Sequence, residues 1–193
     1  IDGQVRERFE LAPRRHAELA LPWAEELLAE AGVKRSQLDA IAVGRGPGAF
    51  TGVRLGIALA QGIALALDRP VVAISTLAAL AMRADTRGAQ ASRVFAAIDA
   101  RMGEVYSAAF ELRDGDVHPL GDERVSAPGA VVGAGEEGGW IGVGTGFGAA
   151  DNALSLRLAS RFASVDATQL PHAGDVARLA AKACARGGAV AGE

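Results

Sequence analysis

The stretch that most constrains the fold leads from a buried strand, through a glycine-rich turn, into a long apolar helix. "LDAIAVG" (38–44) predicts the strand, "GRGPGAFTGVRLG" (44–56) carries five glycines and a proline, and the helix pattern continues to Leu67. "VVAI" (71–74) predicts the next strand, and Ser75 or Thr76 suits the N-cap of a helix over "LAALAMRA". Alternating strands and helices favour an α/β fold with parallel strands and right-handed crossovers.

The remaining pattern adds elements on both sides of this stretch. Before it, "QVRERFE" alternates like a strand, and a helix follows whose apolar stripe ends at Gly32. That stripe consists of Ala20, Trp23, Leu27, Leu28 and Ala31. After it, "RVFAAIDA" and "EVYSAAFEL" predict a hairpin turning at Arg101 to Gly103, which continues through "RDGD" into a further strand.

The C-terminal part predicts one more strand and two helices. "WIGVG" is the strand, "AADNALSLRLAS" the first helix, and "AGDVARLAAKACARGG" a last helix ended by glycine. The stretch 113–139 has few strong apolar signals, so we expect it to be the most irregular region.

A short internal sequence repeat suggests that the fold is duplicated. Asp2-Gly3-Gln4-Val5 resembles Asp114-Gly115-Asp116-Val117, and only the second copy is preceded by a hairpin, from Val94 to Leu112. We therefore expect two similar lobes, residues 1–90 and 91–193, with the N-terminal hairpin of the first lobe missing from this chain.

The glycine turn fails the tests for a phosphate-binding loop. A Walker loop needs a lysine before its final Ser or Thr, and none stands beside Thr51. The dinucleotide pattern G-x-G-x-x-A matches formally at Gly44, Gly46 and Ala49, but Pro47 interrupts it, and the next strand ends in Ser75 and Thr76 instead of an acidic residue. A tight strand-to-helix turn is the better interpretation.

The helix after the turn has one face of very small residues. Gly52, Gly56, Ala60 and Ala64 recur every four positions, and large apolar residues cover the rest. We expect burial on more than one side, either as the central helix of a single lobe or against another subunit. Arg54 and Gln61 interrupt the apolar run Val53–Leu67, which is shorter than the roughly 20 residues of a membrane span, so we expect no membrane role.

Charge, cysteine count and the positions of histidines and aspartates limit which binding and catalytic functions the sequence supports. A net charge of -3 gives no global basic field for nucleic acid, and the single cysteine, Cys184, fits a reducing cytoplasmic location. His16, His118 and His172 lack metal-ligand spacing. Asp99, at a predicted strand end, is the best single carboxylate for phosphate or magnesium, although an Asp at a hairpin turn is more often a turn former.

Three segments together resemble the TsaB (YeaZ) family. They are "HAELALPWAEELLAEAG", "GRGPGAFTGVRLGIALAQGIALALDRPVVAISTLAALA" and "DARMGEVYSAAF", and "LPHAGDVARLAAKA" matches more loosely. The resemblance implies a duplicated actin-like ATPase fold of the ASKHA, ribonuclease H-like type. It also implies a non-catalytic cytoplasmic partner of TsaD, the transferase that places threonylcarbamoyl on the tRNA adenosine next to the anticodon.

The resemblance further implies partners and site residues. TsaD would form the heterodimer, a second copy would replace it in its absence, and TsaE and tRNA would join through the complex. The implied subunit interface lies on the helices 16–31 and 51–67 and comprises Trp23, Leu27, Arg54, Gly56, Ala60, Gln61 and Ala64. Similar TsaD chains carry two metal-binding histidines where this chain has Thr76 and Leu80, so no metal, cofactor or catalytic residue is expected.

Two enzyme hypotheses and a structural one stay open beside the scaffold. An actin-fold ATP-binding enzyme would use phosphate-binding hairpins, of which Asp99, Arg101 and Gly103 offer one, so weak nucleotide binding is possible there. A glycoprotease-type peptidase would need a nucleophile or metal centre, and the sequence offers no good candidate. A homodimeric structural domain would ignore added TsaD.

Overall fold

The computed structural model describes residues 3–12, 15–87, 91–132, 135 and 138–187. The helices are α1 (His16–Ala31), α2 (Phe50–Leu67), α3 (Thr76–Ala81), α4 (Ala149–Leu158) and α5 (Ala173–Ala185). The strands are β1 (Ile41–Gly44), β2 (Val71–Ile74), β3 (Ala91–Arg101), β4 (Glu104–Arg113), β5 (Asp116–Pro119), β6 (Arg124–Ser126), β7 (Trp140–Val143) and β8 (Phe162–Asp166). The α/β class is confirmed.

The chain forms two compact units. Unit 1 comprises Ile1–Arg45, Ala49–Ile74 and His172–Glu193, and unit 2 comprises Gly46–Gly48 and Ser75–Pro171. By packing, α3 belongs to unit 2 and α5 to unit 1, so these units do not follow the division expected at residue 90. The two-lobe division of the sequence stays a prediction.

Unit 1 is built on a parallel strand pair. β1 and β2 align from Ile41 opposite Val71 to Gly44 opposite Ile74, as a strand–helix–strand crossover requires. α2 packs mainly on β1, and α5 packs on both strands. α2 ends at Leu67, and its C-cap residue Asp68 has a left-handed φ of 51°, which lets the Arg69 N–H donate back to the Ala64 carbonyl at 2.9 Å.

Unit 2 contains a mixed sheet with a hydrophobic cluster on each face. The strand order is β5-β4-β3-β7-β8, and β6 pairs with the outer side of β4. Side chains alternate along β3, so that Val94 and Ala96 pack with α3 whereas Phe95 and Ala97 pack on the α4 side. Phe95 is fully buried and makes edge-to-face contacts with Trp140 and Phe147.

Most of the predicted elements are present. Ser75 caps α3 by accepting the Ala78 N–H at 3.1 Å, and Gly32 ends α1 with a φ of 66°. α3 is shorter than expected, because the N–H groups of Arg83 and Ala84 bond three residues back and tighten the last turn. Two short strands, β6 and β8, were not predicted, and β6 lies inside the stretch expected to be irregular.

The strand expected over residues 4–10 is wrong. No strand is assigned there, because a strand needs a ladder partner and the described residues offer none. Neighbouring residues of this stretch contact two different helices of unit 1 instead. Arg8 pairs with Glu26 and Glu30 of α1, whereas Glu7 bonds to His172 at the start of α5.

A second internal sequence match is longer than the match between residues 2–5 and 114–117. "IAVGRGPGAF" (41–50) and "IGVGTGFGAA" (141–150) share their Ile, Val, Ala and all three glycines at equal spacing. Both stretches run from a strand into a helix, and each helix leads to a parallel neighbouring strand. In the first match, Gly3 and Gly115 share a left-handed φ, whereas Asp2 lies outside the described residues.

Candidate partner-binding face and glycine turns

The small residues of α2 face the chain's own sheet. A Cβ added at Gly56 would lie 3.8 Å from Val43 Cγ2 of β1, and Ala60 and Ala64 follow one and two turns later on the same side. Ala60 and Ala64 are only 5% and 4% exposed. In this structure their small size brings α2 close to β1, and the prediction that these three residues meet another subunit stays a prediction.

The opposite side of α2 is exposed and largely apolar. Phe50 is 71% exposed and Leu65 is 86% exposed. We call this side the outer face of α2, and it comprises Phe50, Arg54, Ala58, Gln61, Gly62 and Leu65. The Arg54 guanidinium lies 3.4 Å above the Phe50 ring centroid, a cation–π contact.

The outer face contains some residues that the sequence analysis placed at a subunit interface and some that it did not. Arg54 and Gln61 were predicted at the interface and lie on the outer face. Phe50, Ala58 and Leu65 were missed, although their spacing of three and four residues from Arg54 and Gln61 could have identified them. Polar residues in an otherwise apolar helix mark its solvent side.

By length and composition alone, α2 is the one helix among the described residues that could cross a membrane. With 18 residues, α2 is longer than the apolar run Val53–Leu67 identified in the sequence. Its contacts with β1 are nevertheless those of a helix packed on a sheet.

The two remaining interface candidates, Trp23 and Leu27, lie on α1. Both are half-buried, and no residue of α1 is fully buried. Exposed ion pairs lie along this helix, among them Arg35 Nη2 with Glu25 Oε1 at 2.5 Å. Their role in binding a partner stays a prediction.

The first glycine turn uses its backbone groups internally. The Arg45 N–H donates to the Ile74 carbonyl at 2.8 Å, and the Gly46 carbonyl accepts the Thr76 N–H at 2.8 Å. The Gly46–Pro47 peptide is cis, and Gly46 has a φ of 97°. These contacts fit the interpretation as a tight turn.

The second glycine turn, which follows β7, is closed by close contacts with β3. A Cβ at Gly144 would lie 2.4 Å from the Ala97 carbonyl oxygen, and one at Gly146 would lie 2.7 Å from Ala97 Cβ. The Thr145 hydroxyl accepts the Asp99 N–H at 3.2 Å. Glycine is required here because the loop backbone lies directly on the strand.

The predicted nucleotide residues form the hairpin turn itself. Asp99 Oδ1 accepts the Arg101 N–H at 2.7 Å, and Arg101 Nη1 lies 3.4 Å from Asp99 Oδ2. Arg101, Met102 and Gly103 all have left-handed φ values. The Asp99 carboxylate thus acts as a turn former in this structure, and nucleotide binding at Asp99, Arg101 and Gly103 stays a prediction.

The positions that correspond to metal-binding histidines in the resemblance hold the first residue of α3 and an apolar core residue. Leu80 is fully buried in the cluster between α3 and the sheet, and Thr76 begins α3. Over the described parts of the chain, no group of three or more His, Cys, Asp or Glu side chains could hold a metal ion.

Known proteins resemble this chain in sequence and in structure. The family model "TsaD: tRNA N6-adenosine threonylcarbamoyltransferase" matches residues 10–178. The curated protein "tRNA threonylcarbamoyladenosine biosynthesis protein TsaB" of Escherichia coli (strain K12) is 43% identical over 149 residues, which are 76% of this chain and 64% of that protein. The protein of the same name from Haemophilus influenzae is 54% identical over 97 residues, 50% of this chain and 41% of that protein.

A solved structure covers nearly the whole chain. It is described as an uncharacterized protein with similarity to peptidase YEAZ from Pseudomonas aeruginosa, with a TM-score of 0.88 and 46% identity over 99% of this chain and 87% of that one. The matched segments span less than two thirds of the two curated relatives. With its family model, curated relatives and structural neighbour in agreement, this chain belongs to the TsaB (YeaZ) family.

Proposed function

We propose that this protein is a non-catalytic partner subunit of a TsaD-type transferase in bacterial tRNA threonylcarbamoyladenosine synthesis. The name of its curated relatives supports the pathway. The match of a transferase family model to residues 10–178 supports a paralogous partner, because a two-fold interface uses the same surface of both subunits and a paralogue with the same fold offers an equivalent surface.

The observation that carries the proposal is the outer face of α2. Large apolar side chains stand exposed at both ends of this helix, at Phe50 and Leu65, and small ones lie between them at Ala58 and Gly62. A partner helix can approach closely over the small residues, and the large residues at either end can pack against its sides. The face is thus suited to helix–helix association.

The non-catalytic part of the proposal rests on Thr76 and Leu80. Leu80 has a side chain that cannot ligate a metal, and it is fully buried among apolar residues. We propose that the protein works without a metal or cofactor and supplies shape to the complex. TsaE and tRNA would then be reached through the assembled complex, in the cytoplasm.

The same face would bind a second copy when the transferase is absent. A helix pair related by a two-fold axis presents the same residues from both sides, so one exposed stripe serves both assemblies. The two assemblies would then be mutually exclusive.

We also propose the duplicated actin-like form of the fold, with two lobes. The support is the match between residues 41–50 and 141–150 and the strand–helix–strand order that follows each of them. Duplication explains why two glycine turns of the same pattern occur in one chain.

Binding to the same organism's TsaD-type transferase tests the interface by sedimentation velocity. Ala58→Arg places a charged side chain in the middle of the outer face, and we expect it to weaken association at least about tenfold, about 1.4 kcal/mol. Ala181→Arg, at an exposed position of α5, is the matched control and should bind like wild type. Equal binding by all three proteins would exclude the outer face as the interface.

Calorimetric titration with ATP and Mg²⁺ separates the partner subunit from an ATP-binding enzyme. We expect little heat from the protein alone. A saturable signal lost in Asp99→Asn would favour the enzyme hypothesis instead.

A further inference from the structure

The outer face of α2 carries one charged side chain, that of Arg54. Its other members are apolar or neutral, namely Phe50, Ala58, Gln61, Gly62 and Leu65. Arg54 is exposed, and in the parts of the chain that the structure describes it makes no hydrogen bond or ion pair. The N–H groups of its guanidinium are therefore available to a molecule that approaches this face.

The Phe50 ring holds this guanidinium in place. Phe50 and Arg54 lie four residues apart on the same side of the helix, and the Arg54 Cζ atom lies 3.4 Å from the ring centroid. At this separation the flat face of the guanidinium packs on the ring, which leaves the N–H groups at its edge for an acceptor. Because the stacked side chain is already restrained, it loses less rotamer entropy when an acceptor binds.

Burial of this face sets a condition on the partner. In the proposed function, on which this inference rests, a partner helix covers the outer face of α2. A charge that loses its water has to be paired, because an isolated buried charge is strongly destabilising. The outer face contains no acidic residue, so the acceptor has to come from the partner.

We infer that the partner helix carries an Asp or Glu carboxylate that pairs with Arg54 across the interface. A carboxylate has two oxygens that match two parallel N–H donors of a guanidinium, and this bidentate pair is stronger than a bond to a neutral acceptor. An apolar helix without an acidic residue would leave Arg54 buried and unpaired. Arg54 therefore selects among the helices that could cover this face.

A second copy of this chain does not meet the condition. A two-fold pair of outer faces brings together two arginines and no carboxylate. The acidic residue nearest to Arg54 in the sequence is Asp68, about 21 Å along the helix. A two-fold axis near Gln61 would bring Asp68 opposite Arg54, but it would leave Phe50 beyond the end of the facing α2. Binding to a partner with a carboxylate is thus favoured over self-association.

Sedimentation velocity tests the pairing, with wild type and Arg54→Gln each alone and each mixed with the same organism's TsaD-type transferase. We expect Arg54→Gln to weaken transferase binding at least about tenfold, because the partner's carboxylate is left unpaired. Self-association should instead tighten about threefold or more, because an uncompensated charge is removed from both subunits. Arg113→Gln, at an arginine that pairs with Glu111 in unit 2, is the matched control and should leave both constants unchanged.

Ionic strength gives a second measurement of the same pair. Raising NaCl from about 50 to about 500 mM should weaken transferase binding by wild type more than binding by Arg54→Gln, because salt screens the ion pair that the variant lacks. Equal salt dependence of the two proteins would overturn the pairing.

The variants separate this pair from the interface itself. If Ala58→Arg weakens transferase binding and Arg54→Gln does not, the carboxylate is overturned and the outer face stays the interface. If Arg54→Gln weakens transferase binding and self-association equally, the selective role of Arg54 is overturned. If neither variant weakens transferase binding, the interface of the proposed function is overturned, and the carboxylate with it.

Discussion

Replacing Gly144 with alanine tests whether the second glycine turn is held closed against β3. Gly144 has φ 107° and ψ 168°, a region that is essentially restricted to glycine. An alanine Cβ there would also lie 2.4 Å from both the Ala97 carbonyl oxygen and Leu80 Cδ2. The first of these atoms is backbone and cannot rotate away.

The expected loss of stability has two parts. The backbone conformation costs about 1–3 kcal/mol for a non-glycine residue, and forced overpacking costs about 1–3 kcal/mol more. A total near 4 kcal/mol would lower Tm by roughly 8–16 °C in a chain of this size. Gly103→Ala is the matched control, because Gly103 also has a positive φ, 78°, but its Cβ would meet nothing within 4 Å. It should cost only about 1 kcal/mol.

Urea unfolding followed by far-UV circular dichroism measures both variants under the same conditions. The difference between them contains the packing contribution of the turn together with the extra cost of the Gly144 backbone conformation. Costs for Gly144→Ala and Gly103→Ala that agree within about 0.5 kcal/mol, on the order of the error of additivity, would refute a closed turn and leave it open for a ligand.

Three further perturbations address individual contacts. Glu7→Gln should lower the free energy of unfolding by about 1 kcal/mol, because Glu7 accepts the Gly174 N–H at the start of α5 at 2.9 Å; an unchanged urea midpoint would contradict this. Arg69→Lys should cost about 1–2 kcal/mol in thermal unfolding, since Arg69 bonds to the carbonyls of both Leu38 and Ser36, and a flat response would mean that these bonds add nothing. Asp166→Asn should reduce the pH dependence of stability between about pH 4 and pH 2. The pKa of Asp166 is lowered from 3.8 to about 2 on folding, so its contribution is present above pH 4 and is lost as pH falls toward 2. An unchanged acid-unfolding curve would contradict that assignment.

The sequence predicts the strand–turn–helix elements well because their signals are local. Glycines, the Ser75 cap and the Pro70 break act within a few residues, and the β3–β4 hairpin alternates over long strands. β8 lacks such a signal, because this short edge strand exposes four of its five residues. Residues 4–10 have the alternation of a strand, but a ladder depends on a partner that the local sequence cannot specify.

The local sequence also cannot decide which side of α2 would bind a partner. A row of glycine and alanine allows close approach by any backbone, so Gly56, Ala60 and Ala64 suit a sheet as well as a partner helix. Only the packing of α2 on β1 distinguishes the two. Once that side is occupied, Phe50 and Leu65 identify the side that remains.

Reconstitution of the tRNA modification tests the central claim most directly. The same organism's TsaD-type transferase and its other protein components would be assayed with wild-type chain, with Ala58→Arg, and without the chain. The amount of threonylcarbamoyladenosine in tRNA is then measured by mass spectrometry of the nucleosides. A partner subunit that binds through the outer face of α2 predicts full modification with wild type and a loss with Ala58→Arg as deep as that without the chain. Equal modification in all three reactions would contradict the claim.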